Sequence, residues 1–280
     1  PGDGIIIMQP VYYPFSAAIT QNGRELVNNA LIYEDYAYRI DFDDLEKKAK
    51  DPKNKMLILC SPHNPIGRVW TREELEEVGR ICIDNNVLVV SDEIHFDFIL
   101  TGHKHTVFAN ISEEFAQHCI ICTAPSKTFN IAGLKISNIV IPNDHLRKQL
   151  LEKNQRDFAS NALGIQACRI CYDDCGAWKD EMLCMIEYNY QQVKKFVEEK
   201  LPQIKVIELQ GTYLLWLDCT ALGLSDEELE KLTLGADLYL DEGYLFGPGG
   251  SGFERINLAC PTRYLMAAME RFQKAISALK

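Results

Sequence analysis

The chain lacks any uninterrupted apolar run of the roughly 18–20 residues that a membrane-spanning helix requires, so no segment of its 280 residues reads as one. It also lacks a positive surplus. A net charge of −11 disfavours nucleic acid or an anionic membrane as principal partner, while leaving room for a local basic pocket that holds a small anion. No internal repeat and no low-complexity tract is present, which argues against a solenoid or a disordered scaffold. The single C-x-x-C at Cys168 and Cys171 has no second pair at zinc spacing, so no metal site is expected. Most of the other cysteines (Cys60, Cys82, Cys119, Cys122, Cys260) fall inside apolar runs, where a free thiol acts as a small hydrophobe. That usage reads as reduced thiols in a cytoplasmic protein. The abrupt opening P-G-D-G, leading straight into a strand pattern, suggests that further residues lie upstream.

What is present is an alternation. Short apolar runs at 5–8, 25–32, 56–60, 87–90, 119–122 and 136–141 read as strands. Helical patterns separate several of them, at 41–50 and, behind the capping box Thr71/Glu74, over 71–85. Strands that are apolar throughout and joined by helices predict a mainly parallel sheet covered on both faces. Helical segments follow at 144–156, 162–175 and 178–200, the last long enough to bridge two domains. Short strands at 205–209, 213–218, 237–240 and 255–259 then alternate with helices beginning at Ser225 and Thr262. The reading is an α/β chain: a large three-layer α/β/α domain over residues 1–177, then a bridging helix and a smaller α+β domain over 178–280.

Polar and aromatic groups collect where the predicted strands end: Tyr12 and Tyr13, Asn64, Asp92 with His95, and Lys127 within T-A-P-S-K-T-F-N. In open α/β sheets, ligands bind at the carboxyl edge, so these residues are placed to converge. Each has a plainer reading by itself. Asn64 before Pro65 could serve a turn, Asp92 could cap the next segment, and Lys127 could be a solvated loop residue. Their joint placement at successive strand ends is harder to obtain from turn chemistry.

The motifs Q-P-V-Y-Y-P-F, S-P-H-N-P-I-G-R, S-D-E-I-H-F-D, A-P-S-K-T-F-N-I-A-G-L, G-T-Y-L-L-W-L-D and F-G-P-G-G-S-G-F-E-R-I-N-L-A-C-P together span nearly the whole chain. With them the chain resembles the fold type I pyridoxal-phosphate enzymes of the aminotransferase class I/II superfamily. Within that superfamily it is most similar to the cystathionine β-lyase branch that includes the maltose-regulon modulator. The resemblance implies pyridoxal 5′-phosphate as cofactor and a role for each matched residue. Lys127 matches the lysine that binds the cofactor covalently. Asp92 matches the carboxylate paired with its ring nitrogen, Asn64 the amide on its phenolic oxygen, and Tyr12 the stacking ring. Arg255 matches the arginine that grips the substrate α-carboxylate. His95 stands where many relatives have a hydrogen-bonding tyrosine. For the phosphate, Ser126 and Lys135 are the candidates, because Ala124 replaces the usual hydroxyl and Lys135 the usual arginine. The glycine-containing helix start that relatives use for the phosphate has no match here, and would lie in an upstream segment of about a hundred residues.

The implied activity is carbon–sulfur β-elimination on L-cystathionine or related sulfur-containing amino acids, by a homodimeric enzyme. A class I/II aminotransferase is the alternative, since the same core residues serve both. A regulatory protein that binds a transcription activator is a second.

Overall fold

The computed structural model describes residues 1–153 and 160–279. A six-stranded sheet runs in the order Glu25–Asn28, Gly4–Ile7, Asn54–Cys60, Leu88–Asp92, Cys119–Thr123, Asn138–Val140. The first five strands are mutually parallel, and the last pairs antiparallel to Cys119–Thr123. Strand hydrophobicity explains the placement. Ile6, Ile7, Leu57, Leu59 and Val89 are almost fully buried, each worth about 1.5–3 kcal/mol on leaving water. Helices Phe42–Ala49 and Arg72–Asp84 cover one face through Leu45, Leu75, Val78 and Ile81. Thr71 and Glu74 close the expected capping box at the start of the second.

A four-stranded antiparallel sheet, Asp241–Glu242, Phe253–Asn257, Leu214–Asp218, Lys205–Val206, forms the second layer system. It packs with the long helix Gly176–Lys200 and the terminal helix Thr262–Ser277 around a core that includes Ile186, Val193, Leu217, Met269 and Phe272. The two cores interlock. Phe98 and Leu100 belong to the second, whereas Trp216, Phe246 and Phe253 belong to the first. Trp216 stacks on Phe253 at 5.2 Å between ring centroids and donates its indole N–H to the Tyr38 hydroxyl.

Several expectations change. Residues 25–32 are not one strand. The ladder stops at Asn28, and buried Asn29 turns the chain by donating to the Asp41 carbonyl and the Asp44 carboxylate. Ile32–Glu34 then pairs with Ala37–Arg39 as a separate hairpin. The aromatic loop after Gly4–Ile7 leads at once into the helix Pro14–Gln21, since proline at a first helical position has no N–H to leave unsatisfied. The run 136–141 gives only the edge strand Asn138–Val140, with Ile139 and Val140 about half exposed. The strand expected at 237–240 is displaced to Asp241–Glu242, because Asp237 is left-handed (φ 55°) in the turn that ends the preceding helix. The helix expected over 144–156 is Asp144–Lys153, and 154–156 lie outside the described residues.

Candidate active site

The strands Gly4–Ile7, Asn54–Cys60, Leu88–Asp92 and Cys119–Thr123 are neighbours in the sheet and parallel, so their carboxyl ends open on one side. There a cavity of about 220 Å³ is walled by residues following each of the four: Tyr12, Asn64, Asp92 with His95, and Lys127. Arg255 enters from the antiparallel sheet. The walls are tied together by backbone bonds. Tyr12 N–H donates to the Asn64 carbonyl (3.0 Å), Ser61 N–H to the Asp92 carbonyl (3.0 Å) and Glu93 N–H to the Cys122 carbonyl (2.8 Å).

Asp92 ends its strand half-buried and accepts one backbone N–H, from Ile94 at 3.2 Å. Desolvation pushes its carboxyl up to about 6, while the Ile94 N–H and the Lys127 charge act in the opposite sense. His95 is buried against Tyr213 and Phe98. Burial, with Lys127 and then Arg255 nearby, holds its imidazole down at about 3, so it is neutral at physiological pH. Its Nδ1 has no protein partner among the described residues. Arg255 donates through Nη1 to the Asn64 side-chain oxygen (2.8 Å), pairs through Nη2 with Asp241, and lies 4.8 Å over the Phe246 ring.

Lys127 sits in the one-turn helix Pro125–Thr128. That turn is anchored by a contact the sequence does not announce. The hydroxyl of fully buried Thr128 donates to the Asp97 carboxylate at 2.8 Å. Asp97 lies on the loop that follows Asp92 and carries His95, so the bond ties the lysine turn to that wall. Below that loop, Glu93 accepts from the Ser91 hydroxyl and the Phe108 N–H and meets His105 at 2.9 Å. The candidate phosphate ligands are placed differently. Ser126 lines a second, neighbouring cavity that Lys127 also borders. Lys135 is exposed in a left-handed conformation (φ 49°) and lines neither cavity. Tyr13, Cys60, Tyr213 and Asp241 also line the first cavity, although only Tyr13 was marked by its position at a strand end.

A lysine, a half-buried carboxylate and an arginine lining one cavity at the carboxyl edge of such a sheet fit the fold type I class of α/β enzymes. Within it, the chain belongs to the aminotransferase class I and II family, whose model matches residues 1–272. It is 44% identical over 280 residues to cystathionine β-lyase PatB of Bacillus subtilis, covering 99% of this chain and 72% of PatB. The crystal structure of cystalysin from Treponema denticola, which contains a pyridoxal 5′-phosphate cofactor, superposes with a TM-score of 0.98 at 46% identity. That match covers all of this chain and 72% of cystalysin. Aromatic-amino-acid aminotransferase 2 of Thermococcus litoralis is more distant, 26% identical over 283 residues, covering 99% of this chain and 70% of that one.

The cavity suits such a cofactor at its ring end. Asp92 accepts a single hydrogen bond among the described residues and borders the cavity, leaving capacity for a cationic ring N–H. The Asn64 amide stands beside it, and Tyr12 supplies an aromatic face.

Proposed function

We propose that the protein is a pyridoxal-phosphate-dependent carbon–sulfur β-lyase that cleaves L-cystathionine or related cysteine S-conjugates to a thiol, pyruvate and ammonia. The observation that carries this reading is the convergence of Lys127, Asp92 and Arg255 on one cavity in a chain 44% identical to a cystathionine β-lyase. The aminotransferase relative, at 26%, stands well behind.

Pyridoxal phosphate, when bound, supplies the electron sink that takes up charge as the Cα–H bond breaks. Asp92 would hold the proton on its ring nitrogen, Tyr12 its aromatic face and Asn64 its phenolic oxygen, with neutral His95 alongside. Ser126 and Lys135 remain the candidates in this chain for the phosphate. Arg255 binds the substrate α-carboxylate through a guanidinium already oriented by Asn64. Its second nitrogen is paired with Asp241, a partly exposed carboxylate that the substrate's own must displace or share. Lys127 takes the Cα proton as general base. The electron pair left at Cα forms the Cα–Cβ double bond as the Cβ–S bond breaks, and Lys127 can return its proton to the leaving sulfur. Water completes the hydrolysis to pyruvate and ammonia.

We also infer a homodimer, supported by the exposed apolar side chains Leu163, Ile165 and Ile170 on the helix Ala162–Asp174. Sedimentation of the purified protein checks it. The ten free cysteines fit a reducing compartment, the cytoplasm. No helix among the described residues is long and apolar enough to cross a membrane.

The test is pyruvate release from L-cystathionine with cofactor present and no keto acid added. Release is expected, and Lys127→Ala should abolish it together with the absorbance of covalently bound cofactor, a loss of roughly four or more orders of magnitude. An intact absorbance without pyruvate, and amino transfer once a keto acid is supplied, would overturn the lyase assignment.

A further inference from the structure

A second cavity, of about 270 Å³, adjoins the first and shares Lys127, Tyr213 and Asn257 with it. Asn257 stands two residues beyond Arg255 on the same strand and hence on the same face. The outer wall is one stripe of the long helix: Trp178, Met182 and Met185, spaced i, i+4, i+7. Phe98 closes the floor, buried and packed edge-on against Tyr213 at 4.8 Å. Asn130 adds a neutral polar group, Ser126 is the hydroxyl proposed above for the cofactor phosphate, and Lys127 is the sole charged residue among the described ones lining this cavity.

Resting on the β-lyase reading above, the geometry points to this cavity as the subsite for the sulfur substituent of the substrate, and to a preference for uncharged alkyl, aryl or thioether substituents over one bearing a second ammonium and carboxylate. Arg255 fixes the amino-acid end in the first cavity, and Lys127 stands between the two. Cβ is one bond from the carbon whose proton Lys127 removes, so a group on it has the second cavity within reach. Two methionines and a tryptophan give it a polarizable, adaptable wall that suits sulfur and apolar groups. The distal half of cystathionine would bring a cation and an anion against that wall. Asn130 and Asn257 offer hydrogen bonds but no countercharge, so the desolvation of both ions goes largely uncompensated.

The test compares kcat/KM of the cofactor-loaded enzyme for S-benzyl-L-cysteine and L-cystathionine, with β-chloro-L-alanine as a substrate whose leaving group is too small to need the subsite. S-Benzyl-L-cysteine should lead by about ten- to a hundredfold, the range that one pocket contributes to discrimination. Met185→Arg, which supplies a countercharge for the distal carboxylate, should shrink or reverse that lead while β-chloro-L-alanine is still turned over. Equal rates for the two conjugates, or an unchanged ratio in a Met185→Arg enzyme that still processes β-chloro-L-alanine, would overturn the proposal. Should the parent release no pyruvate from β-chloro-L-alanine, the lyase reading itself fails, and binding decides the subsite separately. Trp178 is half exposed, whereas Trp70 and Trp216 are buried, so S-benzyl-L-cysteine should change an emission component that Trp178→Phe lacks. No such change in the parent would remove the subsite.

Discussion

Two carboxylates are drawn out of water at the two sheets, and they differ in what faces them. Asp92 ends a central strand of the parallel sheet, opens to the cavity and has the Lys127 charge nearby. Glu254 lies in the antiparallel sheet beside Arg255, is 1% exposed, and has its Oε2 without a partner among the described residues. Consecutive strand residues point to opposite faces, so Arg255 turns to the site and Glu254 turns away from it. The charges that act on it most are Glu242, directly across the ladder, then Glu230 and Asp226, with Asp241 on the site's face a smaller contributor, all of the same sign. Desolvation is the main cause of both upward shifts, to about 6 for Asp92 and about 8 for Glu254. The lesson is that a raised carboxyl marks a ligand site only where a complementary charge has room to arrive. Asp92 borders a cavity, and the charges that act most on Glu254 are of its own sign.

The largest effect should follow from removing the functional carboxylate. Asp92→Asn keeps the shape and loses the charge, and should weaken cofactor binding by about 2–5 kcal/mol, as breaking a desolvated charge pair does. Titration of the protein with pyridoxal phosphate measures it. The pH dependence supplies a finer check. Below about 6 the Asp92 carboxyl of the free protein holds its proton, and a cationic ring nitrogen then meets a neutral acid. Affinity should therefore fall as pH drops through about 6, by up to about tenfold per pH unit. That bend should be absent in Asp92→Asn. A bend of equal size in the variant would detach Asp92 from the role.

A smaller effect is expected from the bond that joins the two walls. Asp97→Ala frees the Thr128 hydroxyl and loosens the turn that carries Lys127, which should lower kcat by roughly a hundredfold, the cost of about an ångström of misplacement. KM should change little, because Arg255 is held independently by Asn64 and Asp241. Asp97→Asn retains an oxygen that accepts from Thr128 and should recover most of the rate. A loss of thermal stability with kcat intact would reduce Asp97 to a packing role.

The Asp92 end of this comparison is legible in the sequence and the Glu254 end is not, and the reason is local. Asn64, Asp92 and Lys127 were legible because each follows an apolar run, and the end of such a run in a parallel sheet is a defined place. The helix starts at Thr71 and Ser225 were equally legible, each with its capping glutamate three residues on. The bonds Thr128–Asp97 and Arg255–Asp241 join residues 31 and 14 positions apart, and nothing in the chain near either partner signals them. The helix at Pro14 was hidden by the aromatic run V-Y-Y-P-F, and the hairpin at Ile32–Arg39 by apolar continuity with the strand before it. Glu254 falls just before the strand read at 255–259 and as an isolated glutamate carries no local sign of burial; the strand starts at Phe253 and puts Glu254 on the buried face it shares with Ile256.

Glu254 gives the smallest effect and the cleanest sign. Its folded value, about 8, lies above the ordinary glutamate value. Between the two, the folded state binds more protons than the unfolded one, so stability falls as pH rises through that window. Glu254→Gln does not titrate and should gain on the parent as pH rises, with the difference complete above about 8. A melting temperature higher by about 2–6 °C at pH 9, vanishing toward pH 5, is the expected result. Turnover should be unaffected, because the side chain points away from the cavity that Arg255 lines. A variant equally stable at both pH values would mean that the surrounding carboxylates, and not Glu254, carry the extra proton. A variant that loses turnover would mean that the two faces of this strand are coupled, and the contrast with Asp92 would then be one of degree.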